Sequence, residues 1–182
     1  MTVTQSRQRK EAVEAIQQEV SHCGAKTMKP ITFSCQETLS LTPKEIAQQI
    51  LDVSRWPEFK GFAFIPGVKT AEFEVQTPQI VGSRIRVTNT DGSSHVEEIV
   101  EWQPGQRLTL MMKDFSLPLS FVATSFEETW EFNRLDHATE VTRSFKLHAR
   151  SSLSRIALVA ISWFLKKAIA RHLRQMRNAP AK

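Results

Sequence analysis

The sequence contains no tyrosine, only two cysteines and only six glycines, and each shortage narrows the class of protein. Phe and Trp must supply all of the aromatic packing. Cys23 and Cys35 form neither a CxxC pair nor a Cys/His metal spacing, so a disulfide-stabilised secreted domain is not expected. The glycines are too scattered for a phosphate-binding loop, and no GxSxG nucleophile motif is present.

Long apolar runs are also missing. The residues after Met1 lack the apolar stretch of a signal peptide. The longest apolar run, Ile156 to Leu165, is interrupted by Ser162 and is about half of the roughly 20 residues that a membrane-spanning helix needs. The histidines have no spacing that would bind a metal from one element. We therefore expect a cytoplasmic protein without a metal or other cofactor.

Acidic residues are absent from the C-terminal part of the chain. Glu140 is the last of them, and ten Lys and Arg residues follow it in a chain of net charge +5. This asymmetry has two interpretations: a solvated basic helix end that complements the helix dipole, or a docking surface for anionic lipid or an acidic partner. Nucleic-acid binding is not expected, because the basic residues cluster on one helix without a recognisable reading module.

The N-terminal residues are predicted to form an extension. Arg7 to His22 is typical of a short helix, with Val13, Ile16 and Val20 on one stripe, and Ala25 to Pro30 resembles a linker. We therefore predict a helix and linker over residues 1–30 and a ligand-binding domain over residues 31–182.

Alternating apolar and polar residues predict a sheet over most of this domain. Ile31 to Leu41 is a half-buried strand by this pattern, and Thr42-Pro43 with Glu45 then opens a short helix. From Val68 to Arg150, alternating segments follow one another and are separated by tight-turn signals. Such a succession of strands predicts an antiparallel meander.

The last predicted element is a long helix. Ser151 or Ser152 caps it, and it runs to about Arg177. Between Ile156 and Leu165 it is apolar on nearly all sides, and such a helix is normally covered all round. We expect its outer face to be covered by the N-terminal helix, by a second subunit in a homodimer, or by an anionic membrane surface.

Several local motifs accompany this order of elements. They are Trp56-Pro57-Glu58-Phe59 after the first short helix, Val81-Gly82-Ser83 opening a strand, Glu97 to Trp102 before Pro104-Gly105-Gln106-Arg107-Leu108, and the Arg/Leu-rich last helix. With them the sequence resembles the SRPBCC superfamily, which includes START lipid-transfer domains, birch-pollen-allergen-like proteins and polyketide cyclase/dehydrase-like proteins. The resemblance covers Ile31 to about Arg177.

The resemblance implies an α+β helix-grip fold. In this fold a curved antiparallel sheet of about seven strands wraps around a long C-terminal helix and encloses an apolar cavity. Because the family contains binders, transporters, cyclases, hydrolases and co-chaperones, the fold does not choose among these functions.

Polar residues on apolar strand faces are the most informative feature of the sheet. A two-residue turn at Asp91-Gly92 would pair Ile85 with Glu98 and place Glu98 on the inner face beside Val96 and Trp102. By the same parity His95 and His148 point outward.

Glu128 and Arg143 have the same inward parity. A turn at Leu135-Asp136 would set Glu128 directly opposite Arg143, whereas a turn at Asp136-His137 would set it opposite Phe145 with Arg143 diagonal. An inward Arg must find a carboxylate, and Glu128 is the nearest candidate. Such a pair could be purely structural, could orient the polar end of an amphipathic ligand, or could take part in general acid/base catalysis.

We predict that the protein binds a hydrophobic or amphipathic small molecule such as a lipid, isoprenoid or polyketide-like compound. Alternatives are a cyclase/dehydratase-type enzyme in the same cavity, and a protein-interaction module that acts through the basic C-terminal helix. Binding rather than catalysis is favoured, and no catalytic residue is assigned. The predicted ligand-binding residues are Val96, Glu98, Trp102, Met112, Phe126, Glu128, Trp130, Arg143, Phe145, Ile156 and Ala160.

Overall fold

The computed structural model describes residues 28–178, which form seven strands, two α-helices and two short 3-10 helices. The predicted N-terminal helix, residues 7–22, lies outside the described residues, and the boundary at residue 30 stays a prediction. The elements are β1 (Ile31–Leu39), α1 (Pro43–Leu51), a 3-10 helix (Val53–Glu58), β2 (Val68–Val75), β3 (Arg84–Asn89), β4 (Ser94–Gln103), β5 (Arg107–Lys113), a second 3-10 helix (Leu119–Phe121), β6 (Ala123–Arg134), β7 (Thr139–Ala149) and α2 (Ser152–Asn178).

The strands form one antiparallel sheet in the order β1-β7-β6-β5-β4-β3-β2. Strands β2 to β7 are the predicted meander, and β1 closes the sheet by pairing with β7. Helix α2 lies closest to β1 and β7, so that the sheet curves around the helix and leaves space beneath it along β3 to β6. This arrangement is the predicted helix-grip fold.

The start of α1 is fixed by its capping residues. The hydroxyl of Thr42 accepts a hydrogen bond from the backbone of Glu45, and the Glu45 carboxylate accepts one from the backbone of Thr42. Pro43 occupies the first helical position, where its missing N–H costs nothing. This reciprocal box satisfies two N–H groups that the first turn of a helix leaves unpaired. The sequence prediction for this helix is therefore confirmed in its details.

The hairpin between β3 and β4 corrects one prediction. Its loop contains three residues, because Asn89 donates its backbone N–H to Ser93 and Gly92 follows in the left-handed region with φ 85°. The added residue moves the register by one position, so that Ile85 pairs with Glu97 rather than with Glu98. A one-residue shift sends every side chain of a strand to the other face.

The corrected register changes which residues of β4 face inward. His95 and Glu97 lie on the inner face, contrary to the outward orientation predicted for His95. Glu98 is on the outer face, where it pairs with Lys113. Val96 also belongs to the outer face; it is fully buried and is flanked by Arg86 and Lys113 in the neighbouring strands.

A bulge later in β4 restores the original parity. The register with β5 shifts between Ile99 and Glu101, so that Trp102 lies opposite Leu108 on the core side. Trp102 packs against the hydrophobic core, as its predicted inward orientation requires. Val100 lies within the bulge and is 40% exposed.

Helix α2 begins at a serine cap and carries two different apolar faces. Ser151 accepts a hydrogen bond from the backbone of Ser154, and the inner face then buries residues such as Leu158, Ile169 and Leu173 against the sheet. Ile156, predicted to face the cavity, is instead 74% exposed. Ala160, also predicted there, is exposed on the same side. The apolar pattern could not separate the faces, because this half of the helix is apolar on nearly all sides.

Candidate functional site

A cavity of about 530 Å³ lies between α2 and the concave face of the sheet. This volume is within the range of roughly 300–1,000 Å³ that is typical of small-molecule sites. Its wall is mainly apolar, and it includes Ile161, Leu165 and Ile169 from α2 and Leu110 from the sheet. The predicted cavity is therefore present.

The structure brings six of the eleven predicted binding residues into the cavity wall. These are Met112, Phe126, Glu128, Trp130, Arg143 and Phe145. The other five, Val96, Glu98, Trp102, Ile156 and Ala160, are not part of the wall that the described residues form. The register of β4 turns Val96 and Glu98 away from the cavity, and the orientation of α2 turns Ile156 and Ala160 away from it. Trp102 packs into the core. That the six bind a ligand stays a prediction.

Glu128 and Arg143 form a buried ion pair in this wall. Arg143 donates a hydrogen bond from Nε, at 2.6 Å, to Oε1 of Glu128, and its Nη2 forms an ion-pair contact with the same oxygen. The two residues are only 3% and 6% exposed. Glu128 lies opposite Phe145, and Trp130 lies opposite Arg143, which is the register of a turn at Asp136-His137. The diagonal alternative is thus the one that the protein adopts.

The remaining faces of the Arg143 guanidinium are also occupied by protein. Its Cζ lies 3.9 Å from the centre of the Trp130 ring, a cation–π contact. Its Nη1 lies 3.0 Å from Nδ1 of His172. Because an arginine can only donate, Nδ1 of His172 accepts and the ring proton of a neutral His172 is on Nε2. Arg143 therefore connects the sheet to α2 through one polar cluster, which is defined by Glu128, Trp130, Arg143 and His172.

Burial changes the proton affinity of two members of this polar cluster. Loss of solvation raises the pKa of Glu128 from 4.5 to about 6; the Arg143 charge opposes this shift and the nearby Glu97 carboxylate adds to it. Loss of solvation also lowers the pKa of His172 from 6.5 to about 3, and the charges of Arg143 and Arg55 lower it further. At neutral pH, His172 is uncharged and Glu128 is largely ionised.

His95 and Glu97 form a second polar pair in the cavity wall. Nε2 of His95 lies 3.0 Å from Oε1 of Glu97, and the Glu97 side chain is buried. Neither residue was predicted to be part of the site, since the inward orientation of both depends on the shifted register of β4. The Gly at position 92, in a loop that requires a left-handed residue, was the one signal that a three-residue loop was available.

His172 was also missed, although the sequence contained a signal for it. Leu165, Ile169, His172 and Met176 follow the spacing i, i+4, i+7, i+11, which places all four on one face of a helix. All four line the cavity. A histidine that continues an inward apolar stripe in this way is a candidate for a buried polar contact.

Exposed apolar side chains, here called the apolar rim, lie on α2 and on two connecting segments, and one of them, Phe64, also lines the cavity. On α2 the rim consists of Leu153, Ile156, Val159 and Trp163, and the two segments add Phe64, Leu117 and Phe121, with each of these side chains at least 50% exposed. Phe64 packs on Phe164 of α2 with ring centres 4.0 Å apart. The segment that carries Leu117 and Phe121 is attached near the start of α2, because Arg150 donates a hydrogen bond to the backbone of Ser120.

The sequence matches a family model described as polyketide cyclase / dehydrase and lipid transport, over residues 30–179. The chain belongs to this family. The match covers most of the chain and confirms the resemblance to the SRPBCC superfamily. A search of curated proteins finds no significant match.

Solved structures share the fold of this family member at low sequence identity. The protein TTHA0849 from Thermus thermophilus superimposes with a TM-score of 0.62 at 13% identity, over 81% of this chain and 94% of that chain. Ara h 8.0201 has a TM-score of 0.55 at 15% identity, over 80% of this chain and 98% of its own. Ginseng major latex-like protein 151 from Panax ginseng has a TM-score of 0.54 at 13% identity, over 80% and 98%. At these identities the similarity establishes the fold alone.

Two further features bear on the chemistry of the family member. Within residues 28–178, no group of His, Cys, Asp and Glu side chains is arranged to hold a metal ion. No helix in the described range is long and apolar enough to cross a membrane. The cavity wall is mainly apolar, and its buried polar side chains are Glu97, Glu128 and Arg143. His95 and His172 also line it, and Gln49, Arg55, Glu58, Asn89, Asp91 and Ser93 complete its polar part.

Proposed function

We propose that this protein binds a hydrophobic or amphipathic small molecule, such as a lipid, an isoprenoid or a polyketide-like compound, in the cavity beneath α2. The observation that carries the proposal is the cavity of about 530 Å³, whose wall is mainly apolar and includes a few polar groups. Apolar walls supply affinity through the burial of ligand surface, and a few placed polar groups fix orientation. Membership of a family that includes lipid transport supports this proposal.

The lining residues form two groups, which contact different parts of the ligand. Met112, Phe126 and Phe145 on the sheet and Leu165 on α2 contact the apolar body of the ligand. The polar cluster contacts its polar end. The cavity is open rather than filled by Trp and Phe side chains, which is the reason to prefer binding over a protein-interaction module with a vestigial cavity.

A bulky side chain placed on the cavity-facing side of α2 should weaken ligand binding strongly. Ile161→Trp adds an indole on the cavity side of α2, so the variant should bind the neutral fluorescent probe N-phenyl-1-naphthylamine about tenfold or more weakly than the unmodified protein. The measurement is a fluorescence titration, with native mass spectrometry of the purified protein to find co-purified apolar molecules.

Ile156→Trp is the matched control for this experiment. It adds the same side chain to the same helix at a position that is 74% exposed and outside the cavity wall. The control should bind the probe as the unmodified protein does. Equal affinity of the Ile161→Trp and Ile156→Trp proteins would contradict binding in this cavity.

A cyclase or dehydratase activity is the second candidate function, and the state of Glu128 is the observation that favours it. A carboxyl group with a pKa of about 6 in an apolar cavity can both accept and donate a proton near neutral pH. Its engagement with Arg143 through one oxygen argues for a structural role as well. Deuterium exchange at the α-carbon of a bound ketone, lost in Glu128→Gln with probe binding retained, would favour the enzyme.

The apolar rim supports exchange of the ligand at an anionic membrane surface. Aromatic and aliphatic side chains are exposed beside the cavity, and Phe64 belongs to both the rim and the cavity wall. Arg150, Arg155, Lys166 and Lys167 flank or interrupt the α2 part of the rim in sequence, Lys167 lies 3.6 Å from the centre of the Trp163 ring, and no acidic residue follows Glu140. Exposed apolar side chains within a basic surface are typical of proteins that bind anionic lipid bilayers peripherally.

Vesicle flotation tests this contact. The protein should float with phosphatidylcholine vesicles that contain phosphatidylserine and remain behind with pure phosphatidylcholine, because the basic residues are attracted only to the anionic surface, and added salt should weaken flotation by screening. Trp163→Ser should weaken flotation, whereas Val100→Ser, which removes an exposed apolar side chain from β4, should not. A protein that ignores anionic vesicles, or a dimer whose interface buries the rim, would contradict membrane contact.

The N-terminal segment is relevant to the same experiment. Met28 contacts Ser152, and the backbone of Lys29 accepts a hydrogen bond from Arg155, so the described part of the chain begins beside the start of α2, where Leu153 belongs to the rim. If flotation appears only after deletion of residues 1–24, the N-terminal segment rather than a membrane covers the rim, and the membrane proposal is wrong for the full chain.

A further inference from the structure

Glu97 is a buried carboxylate in the cavity wall that has no permanent cation as its partner. The residue is only 6% exposed, and among the described residues its carboxylate has one hydrogen-bond partner, His95. In the neighbouring strands Ile85 and Met112 lie directly opposite Glu97, and both are apolar. A buried carboxylate without an arginine or lysine partner is costly, so its presence in the wall requires a reason.

The second oxygen of this carboxylate is unoccupied and accessible. His95 contacts Oε1 of Glu97, and Oε2 accepts no hydrogen bond from the described residues. In that part of the chain, the inaccessible side-chain polar atoms without a partner are Nε of Arg84 and Nε1 of Trp130. Because Oε2 of Glu97 lacks a partner and is not one of these two atoms, it retains accessible surface. Glu97 lines the cavity, so this oxygen can meet a ligand there.

The polar cluster beside Glu97 keeps most of its donors for the protein. The Glu97 charge raises the pKa of Glu128, so the two carboxylates are near enough to interact. Arg143 directs Nε and Nη2 to Glu128 and Nη1 to His172. Nε1 of Trp130 is inaccessible and is directed at the Glu128 carboxylate, whose pKa it lowers. Of the cluster's N–H groups, the one on Nε2 of neutral His172 is therefore the one left for a ligand.

Glu97 also determines which ligand charge the wall accepts. Arg143 and Glu128 compensate each other, whereas His95 compensates Glu97 only when it is protonated. A ligand carboxylate would lose its hydration and meet a like charge in a site of low dielectric, which is unfavourable. A hydroxyl group carries no charge to desolvate, and it can donate a hydrogen bond to the unoccupied oxygen.

We propose that the cavity selects apolar ligands whose polar end is a hydroxyl group, which donates a hydrogen bond to Oε2 of Glu97, and that it discriminates against carboxylates. This inference rests on the proposed binding function and specifies its ligand class. The hydroxyl group lies where Glu97 adjoins the polar cluster. Phenols and alcohols belong to the selected class, and ligands with a fatty-acid-like head group belong to the excluded class.

The test compares four naphthalenes as competitors of N-phenyl-1-naphthylamine at neutral pH. They are 2-naphthol with a donor hydroxyl, 2-methoxynaphthalene with the same oxygen but no donor, 2-naphthoate with a carboxylate, and 2-(aminomethyl)naphthalene with an ammonium group. The naphthol should bind about tenfold more tightly than the ether, the size of one hydrogen bond to a charged group. It should also bind more tightly than the carboxylate and the ammonium compound.

Glu97→Met tests the acceptor directly. The substitution removes both oxygens and retains a side chain of similar length, so the preference for the naphthol over the ether should vanish. Removal of the negative charge should also tighten the binding of 2-naphthoate by about threefold or more, a gain that a damaged fold would not produce.

Glu98→Met is the matched control. Glu98 is the next residue of the same strand, but it lies on the outer face and pairs with Lys113. This variant should retain the naphthol preference and the weak binding of 2-naphthoate. Circular dichroism verifies that each variant is folded.

The outcomes separate this inference from the proposed function. If the probe and all four competitors fail to bind saturably, binding in the cavity is wrong and the selectivity is wrong with it. If they bind but the ether, the carboxylate or the ammonium compound equals or exceeds the naphthol, only the hydroxyl selectivity is wrong. A naphthol preference that survives in Glu97→Met would overturn the role of Glu97 as the acceptor.

Discussion

Replacing Arg143 with Met should lower the free energy of unfolding by about 3–5 kcal/mol at neutral pH. The substitution removes the hydrogen bond and the ion-pair contact to Glu128 and leaves a carboxylate buried at 3% exposure without its cation. It also removes the donor to His172 and the cation over the Trp130 ring. Urea unfolding, followed by tryptophan fluorescence and checked by circular dichroism, measures the loss.

The double variant Glu128→Leu/Arg143→Met is the control for this prediction. Buried ion pairs are often replaceable by apolar residues of similar volume, so the double variant should recover much of the stability that Arg143→Met loses. The single variant should also suffer less at pH 5 than at pH 7, because the unpaired Glu128 can then protonate. A nearly neutral effect of Arg143→Met in urea would show that the pair does not stabilise the fold.

Acidification should destabilise the protein through His172 by up to about 5 kcal/mol, reached below pH 3, at about 1.4 kcal/mol for each pKa unit. The pKa of His172 falls from 6.5 to about 3 in the folded protein. Above pH 6.5 His172 is unprotonated in both the folded and the unfolded protein, so it does not change the free energy of unfolding. As the pH falls from 6.5 to 3, the unfolded chain binds the proton first, so the free energy of unfolding decreases. Below pH 3 both states are protonated and the loss stops growing.

Glu128 opposes this effect over part of the same range. Its pKa rises from 4.5 to about 6 on folding, so ionisation penalises the folded state above pH 6, and that penalty of about 2 kcal/mol disappears between pH 6 and 4.5. The two groups nearly cancel in this window. The loss that His172 causes should therefore become visible mainly between pH 4.5 and pH 3.

His172→Asn isolates the histidine contribution. The amide oxygen of Asn can accept from Arg143 without titrating, so stability relative to the unmodified protein should rise steadily as the pH falls below 6.5. Exposed His137→Asn serves as the control and should show no such trend. Parallel curves for the unmodified and His172→Asn proteins, from urea unfolding at a series of pH values, would show that His172 is not held neutral by burial.

Much of the fold could be predicted because it depends on local chemistry. The alternating pattern of β6 and β7 placed Glu128 and Arg143 on the same face under either of two turns, since a side chain's face depends only on its parity along the strand. The capping box at Thr42 and Glu45 depends on residues three positions apart and was predicted completely. The order of strand, short helix, meander and long helix also followed from the sequence.

The parts of the site that could not be predicted depend on the length of one loop and on which face of α2 packs against the sheet. One added residue in the β3–β4 loop exchanged Glu98 for Glu97 and brought His95 inward, and a loop of either length is consistent with Asp91-Gly92. Ile156 and Ala160 were assigned to the cavity because a helix that is apolar on nearly all sides has no pattern that identifies its inner face.

The sequence by itself determined that this chain forms a helix-grip sheet and helix, with an inward carboxylate and an inward arginine on neighbouring strands. Only the tertiary structure decided that the space beneath α2 stays open as a cavity of about 530 Å³, and that His172 meets Arg143 there. Periodicity fixes which way a side chain points within its own element. The distance between elements, and hence the partners across the cavity, depends on how the whole sheet curves around the helix.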